Sequence, residues 1–273
     1  MVFRGGFGFT GCRCREGQAM QSIREAPATG EEDAQKVAIV TGGSRGIGRA
    51  ISLELSRAGY HVFVNYKSNR AAAEETLEMI RGEGGDGEAV AFDVTMGEET
   101  KAAVTEMHAR FNRIDVLVNN AGITADGLFI MMSEKDWDSV IATSLKGFYN
   151  VTKPVLGKML RKKRGAIVSL SSLAGLIGNR GQANYSAAKA GLISASRAVA
   201  REVARLGVRV NVVAPGLIET EMIAKAPVAA IKEMIPMARI GKPEEVARVV
   251  RFLCSEDASY VTGEVISVNG GMY

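Results

Sequence analysis

From Lys36 to the end of the chain, short apolar runs rich in β-branched residues alternate with longer amphipathic runs, and few folds accept that order. The segments 36–41, 61–65, 88–94, 114–119, 165–171, 208–214 and 264–269 read as buried strands. Between them, 47–58, 70–83, 98–111, 134–161, 184–206 and 243–255 carry helical periodicity. Strands that are apolar on both faces and joined by helical crossovers must lie in a parallel sheet covered on both sides. The expectation is one α/β domain over 35–273, a doubly wound parallel sheet of about seven strands with helices on both faces. The segment 217–240 is less regular and carries Met222, Met234 and Met237, which suits either a mobile lid or a surface helix pair.

Residues 1–34 lack any such period and read as a flexible extension. Arg4, Arg13 and Arg15 with no acid in the first fifteen residues weakly resemble an organellar transit peptide, but a disordered extension or an early start ahead of Met20 is the simpler reading. Three cysteines, Cys12, Cys14 and Cys254, make no disulfide framework and point to a reducing compartment such as the cytoplasm. Cys12 and Cys14 resemble half a metal site, yet His61 and His108 are far away in sequence, so no metal is expected. The net charge of +4 with mixed signs calls for no nucleic acid, and no apolar run is long enough to span a membrane.

The first strand runs into Thr41-Gly42-Gly43-Ser44-Arg45-Gly46-Ile47-Gly48, and a helix follows. Glycines between a first strand and a helix let backbone approach a pyrophosphate, whose charge then meets the helix N-terminus. The strand–turn–helix order is Rossmann-type, but the spacing is T-G-x-x-x-G-x-G rather than the commoner G-x-G-x-x-G. An acid at the end of the second strand would hold an adenosine ribose and repel a 2′-phosphate. That position instead reads Asn65-Tyr66-Lys67-Ser68-Asn69-Arg70, and Arg45 adds a cation, so the expected cofactor is NADP(H).

Tyr185 and Lys189 are one helical turn apart and share a face. An ammonium near a phenol favours the phenolate and lowers its pKa toward working pH, which suits acid–base work on a carbonyl. Ser172, at the end of the fifth strand, can hydrogen-bond the carbonyl oxygen.

The glycine turn, Asn119-Asn120-Ala121-Gly122 and Tyr185-Ser186-Ala187-Ala188-Lys189 thirteen residues beyond Ser172, in that order, resemble the short-chain dehydrogenase/reductase family over 36–273. The resemblance implies that Tyr185 is the proton donor, that Lys189 tunes it and binds the nicotinamide ribose, and that Ser172 orients the substrate. It implies further cofactor contacts from Asp93 and Val94 at the adenine, from Asn120, Ala121 and Gly122, and from Asn211, Pro215 and Gly216 beside the nicotinamide. Ile218 and Thr220 fall where the carboxamide is held. Many members carry an asparagine where this chain has Ser144, and that asparagine holds a water linking the lysine to a proton relay. With serine there, the relay survives through a shifted water or is weakened. Homotetramers are usual in the family, so the apolar Phe148, Val151, Val155 and Met159 are expected at an interface.

Within the family, residues 178–185, the stretch 211–222 and the ending Val268-Asn269-Gly270-Gly271-Met272-Tyr273 resemble the 3-oxoacyl-[acyl-carrier-protein] reductases. That implies an acidic carrier protein as partner, and the basic run Arg161-Lys162-Lys163-Arg164, with Lys158 and Arg205, is its candidate dock. The same run also suits a solvated helix C-terminus. Acetoacetyl-CoA and polyketide-type reductases remain alternatives, as do a non-catalytic NADP(H)-binding protein and a structural subunit paired with an active homologue.

Overall fold

The computed structural model describes residues 35–221 and 233–273. The readings placed on residues 1–34, including Cys12 and Cys14, and on Met222 lie outside the described residues. Seven strands form one parallel sheet: β1 Lys36–Val40, β2 Tyr60–Tyr66, β3 Asp86–Ala91, β4 Val116–Asn119, β5 Gly165–Leu170, β6 Val208–Pro215 and β7 Val265–Val268. Their order in space is β3-β2-β1-β4-β5-β6-β7. The chain therefore winds outward from β1 to β3, then crosses back to β4 and winds the other way. This reversal puts a crevice at the carboxyl ends of β1 and β4, where open α/β sheets bind ligands.

The helices are α1 Gly46–Arg57, α2 Arg70–Gly82, α3 Gly97–Phe111, α4 Glu134–Ile141, α5 Gly147–Lys162, α6 Ala174–Ile177, α7 Ala183–Val203 and α8 Pro243–Cys254. Side chains of successive strand residues point to opposite faces. Val37 and Ile39 of β1 accordingly join Val104 and Met107 of α3, Val151, Val155 and Met159 of α5 and Val203 of α7. Ala38 and Val40 join Ile51 and Leu55 of α1, Leu77 and Ile80 of α2 and Val250 and Leu253 of α8. Local signals set the ends. Asn69 Oδ1 accepts from the Ala72 amide at 3.0 Å ahead of α2, and Ser133 Oγ accepts from the Asp136 amide at 3.1 Å ahead of α4. Asn112 and Lys163 end α3 and α5 in left-handed conformations.

Two expectations are corrected. The run 134–161 is not one α-helix: Ala142–Lys146 forms a π-turn between α4 and α5, a local widening that sequence periodicity does not encode and that often marks functional sites. Phe148, Val151, Val155 and Met159 are not an outward patch. They are buried inside the chain, Val151, Val155 and Met159 in the core against the sheet and Phe148 beside the cavity that Ser144 borders. The opposite face shows Tyr149, whose hydroxyl accepts from Lys153 Nζ at 2.9 Å. Among the described residues no helix is long and apolar enough to cross a membrane.

Candidate active site

The glycine turn leaves β1 at the crevice and is braced from three strands. Thr41 Oγ1 donates to the Val118 carbonyl at 3.2 Å and accepts from the Asn120 and Ala121 amides at 3.0 and 3.1 Å. Asn120 Nδ2 donates to the Thr41 and Gly42 carbonyls at 2.9 and 3.0 Å. Asn65 Oδ1 accepts from the Gly42 amide at 3.1 Å, and its Nδ2 donates to the Phe92 carbonyl at 3.0 Å. These side chains, read from sequence as cofactor contacts, are engaged in shaping the loop. Gly42 and Gly46 adopt φ of 59° and 52°, left-handed values that glycine takes without strain. At Gly48 the constraint is space: a Cβ there would lie 2.1 Å from the Gly42 carbonyl oxygen. The first turn of α1 thus begins directly under the loop, with amides that no intrahelical carbonyl can satisfy. Ser44 is buried, and its carbonyl accepts from Arg49 Nε at 3.1 Å and Thr76 Oγ1 at 3.0 Å.

Both cations read as phosphate ligands have acidic partners. Arg45 Nη1 lies 3.0 Å from Glu221 Oε2, beyond β6. Lys67 Nζ, just past Tyr66 at the end of β2, lies 2.7 Å from Asp93 Oδ2. Burial pushes the Asp93 pKa up, but Lys67 and the Thr95 amide and hydroxyl outweigh it and hold the carboxyl below its ordinary value. Val94, next to it, is buried and lines a small cavity with Ser144.

The structure brings Ser172, Tyr185 and Lys189 together. Ser172 sits two residues past β5, and its Oγ accepts from the Ala174 amide at 3.2 Å. Tyr185, early in α7, has its pKa raised. Burial is the main cause, opposed by a hydrogen bond with Ser172 and reinforced by the Asp126 charge. Lys189 is buried, donates to the Leu170 carbonyl at 2.7 Å and places Nζ 5.5 Å from the centroid of the Tyr185 ring. Burial pushes its pKa down to about 8. From the spacing alone the ammonium is expected to lower the phenol's pKa; here burial raises it against the Ser172 hydrogen bond, so the phenol keeps its proton. A protonated phenol is the form that can give a proton to a carbonyl oxygen. Gly122 admits the lysine closely, since a Cβ on it would stand 3.3 Å from Lys189 Nζ.

Several positioning groups escaped the sequence reading. Asn184, fully buried, accepts from the Tyr185 amide at 2.7 Å and donates to the carbonyls of Ala125 and Asp136 at 3.0 and 3.2 Å. Ser171 Oγ donates to the Lys189 carbonyl at 2.9 Å. Asn184 lies inside a stretch quoted only for its resemblance, and Ser171 precedes a better-known serine; neither carries a signal of its own.

Ser144 occupies the middle of the π-turn. Its Oγ is buried without a hydrogen-bond partner and borders a cavity lined also by Thr41, Asn119 and Thr143, about the size of one water. Beyond β6, Gly216 passes Asn269 so closely that a Cβ would sit 2.8 Å from that residue's Cβ, and Ile218 pairs with Gly241. Pro215 ends β6, its carbonyl accepting from the Leu173 amide at 2.8 Å in the turn that carries Ser172. Thr220 rests against Gly46. Asn211 is different: its buried amide donates to the Val261 carbonyl at 2.8 Å and accepts from the Glu264 amide at 3.1 Å, so it ties β6 to the approach to β7.

The basic run lies apart from all of this. Arg161–Arg164 joins the C-terminus of α5 to the amino end of β5, whereas Ser172 follows the carboxyl end. Arg164 pairs with Glu256 at 3.2 Å. Burial lowers the His108 pKa, and the positive field of Lys158, Arg161 and Lys162 lowers it further.

Comparison with known proteins agrees with this geometry. A family model described as enoyl-(acyl carrier protein) reductase matches residues 42–273. The 3-oxoacyl-[acyl-carrier-protein] reductase FabG of Staphylococcus aureus strain Mu50 is 47% identical over 241 residues, covering 87% of this chain and 98% of its own. The 3-oxoacyl-[acyl-carrier-protein] reductase of Synechocystis is 47% identical over 238 residues, covering 87% of this chain and 96% of its own. The corresponding FabG of Aggregatibacter actinomycetemcomitans is 45% identical over 239 residues, covering 86% and 98%. With its glycine turn at the β1–β4 crevice and its serine, tyrosine and lysine at the ends of β5 and α7, the chain belongs to the short-chain dehydrogenase/reductase family.

Proposed function

We propose that the protein reduces the 3-oxo group of an acyl thioester, carried on acyl-carrier protein, to the 3-hydroxy group with NADPH. The observation that carries this reading is the trio at the ends of β5 and α7: Ser172 on the phenol of Tyr185, with the buried Lys189 behind it. The relatives named as 3-oxoacyl-[acyl-carrier-protein] reductases, matched over nearly their whole length, supply the substrate class.

The residues present suit a dinucleotide. The first turn of α1 offers unbonded amides under a loop whose Gly48 leaves no room for a side chain. No acid follows β2; Lys67 stands at that end, and Arg45 stands in the glycine turn at the N-cap of α1. NADP(H) is therefore the cofactor proposed, and when bound it supplies the hydride. Tyr185 then gives its proton to the carbonyl oxygen as that oxygen takes on charge, Ser172 holds the same oxygen by hydrogen bond, and the Lys189 charge offsets the phenolate left behind. Lys189 also binds the nicotinamide ribose in this reading. A homotetramer and a cytoplasmic location belong to the same proposal and are supported by the family resemblance.

A coenzyme A thioester is the second reading. It is favoured by one observation: the basic run stands at the amino end of β5, away from Ser172. An NADPH-oxidation assay across acetoacetyl-CoA, longer 3-oxoacyl carrier-protein thioesters and simple ketones tests both. The proposal expects the carrier-bound thioesters to give the highest kcat/KM, with NADPH preferred over NADH by more than about tenfold, or 1.4 kcal/mol. Turnover of simple ketones alone would overturn it.

A further inference from the structure

Arg45, at the N-cap of α1, reaches from the glycine turn to the segment beyond β6 and pairs with Glu221 at 3.0 Å. Thr220 makes the same crossing: a Cβ on Gly46 would meet its Cγ2 at 3.3 Å. The pair is open to water, with the side chains 54% and 76% exposed, so it binds weakly and exchanges readily. The other cation differs. Lys67 holds Asp93, an acid only 20% exposed that Thr95 also bonds twice. Of the two cations, Arg45 has the replaceable partner.

We propose that Glu221 is a competing counter-ion for Arg45 and thereby a specificity-determining residue, setting how strongly the protein separates NADP(H) from NAD(H). This rests on the proposed reading of Arg45 as a ligand of the 2′-phosphate. A phosphate monoester carries nearly two charges and three strong acceptor oxygens, so it outcompetes one exposed carboxylate for a guanidinium. Binding of NADP(H) therefore releases Glu221. NAD(H) has no group to take Arg45 and leaves the pair standing. Glu221 weakens NADP(H) binding by the strength of the pair it forms and leaves NAD(H) binding alone.

The test is equilibrium binding, read by cofactor fluorescence without substrate, for the wild type, Glu221→Gln, Arg45→Ala, the double variant and a charge control, Glu219→Gln. Glu219 is exposed and near in sequence, and its amide bonds Gly241 rather than Arg45. Glu221→Gln is expected to tighten NADPH by about two- to fivefold, the range for an exposed pair. NADH should not change, the effect should vanish when Arg45 is alanine, and Glu219→Gln should leave the ratio of the two dissociation constants unaltered. An equal shift for both cofactors, or an effect that persists without Arg45, would overturn the inference. So would an inert Glu221→Gln when Arg45→Ala still collapses the preference, and then the cofactor reading stands. If Arg45→Ala leaves the preference intact, that reading of Arg45 fails and the inference falls with it.

Discussion

Lys189 donates to the carbonyl of Leu170 at 2.7 Å, and this bond turns the ammonium toward the end of β5 while its ring neighbour Tyr185 stays 5.5 Å away. The lysine is held where it can supply charge to the phenol's surroundings without being its direct partner.

That placement fixes a pH dependence. Burial lowers Lys189 from the ordinary 10.5 to about 8, so it is charged below that pH and loses its proton as pH rises through it. Tyr185 is shifted the other way and keeps its proton beyond that point. Reduction needs both protons in place. The expected profile of kcat/KM with NADPH is flat near neutrality and declines above about pH 8, approaching tenfold per unit. A profile level to pH 10 would show that the charge on Lys189 is not required.

Replacing Tyr185 by phenylalanine removes only the acid. The expected result is a fall in kcat of about a hundredfold or more, typical of a positioned proton donor, with the dissociation constant for NADPH within about twofold of wild type. Retained turnover would mean that the proton comes from another group.

Two glycine substitutions separate close approach from mere flexibility. A Cβ on Gly48 would meet the Gly42 carbonyl at 2.1 Å and Asn120 Nδ2 at 2.6 Å, while a Cβ on Gly82 meets nothing within 4 Å. Gly48→Ala should cost about 1–3 kcal/mol in denaturant unfolding, as overpacking does, and abolish nucleotide binding. Gly82→Ala, at the end of α2, should be neutral or stabilise by up to about 1 kcal/mol. Equal behaviour of the two would remove the steric argument for the glycine turn.

The five inner strands were legible because each is a short run apolar on both faces, and a parallel sheet is the arrangement that buries both; β3 and β7, read as buried strands too, lie at the two edges and stay partly exposed. The turn at Thr41–Gly48 and the shared face of Tyr185 and Lys189 were legible for a related reason: each is a local spacing that the backbone turns directly into position, whereas Ser172 was joined to them through the family resemblance. What was not legible depends on neighbours distant in sequence. Val151 and Val155 gave the right period, but period alone does not say whether an apolar stripe meets its own sheet or another chain, and here it meets Val37 and Ile39. Thr41, Asn65 and Asn120 read as cofactor contacts, but the bonds by which their side chains brace the loop run to carbonyls and amides of other strands, partners that no local motif names. The raised pKa of Tyr185 follows from how deeply α7 packs, which no i,i+4 spacing contains. The π-turn at Ala142–Lys146 left no trace, because a single register shift in backbone hydrogen bonding does not alter the apolar pattern around it.

Ser144 tests the consequence of that turn. Its hydroxyl has no bonded partner and faces a polar cavity of one-water size, space that a longer amide side chain would enter. Ser144→Asn should keep unfolding stability within about 1 kcal/mol and hold or raise kcat, since the added atoms replace a void and bring a donor and an acceptor toward Asn119 and Thr143. A steep loss of kcat with the fold intact would show that the serine has a role fitted to this chain's own geometry.

The basic run at the end of α5 decides between carrier protein and coenzyme A. Burial is the main cause of the lowered His108 pKa, and Lys158, Arg161 and Lys162 add to it as a positive patch to which an acidic surface would be drawn. Yet the run precedes β5 and Ser172 follows it, a separation of roughly 20 Å for a strand of this length at about 3.3 Å per residue. Charge reversal by Lys162→Glu with Lys163→Glu should raise KM for a carrier-bound 3-oxoacyl substrate by about three- to tenfold at low salt, and the difference should shrink as salt screens the encounter. Turnover of a small 3-oxoester should be nearly unchanged, because Ser172, Tyr185 and Lys189 are untouched. If both substrates suffer equally, the run serves the fold. If the wild type shows no preference for carrier-bound substrate over its coenzyme A analogue, docking there contributes nothing, and the coenzyme A reading replaces the carrier reading.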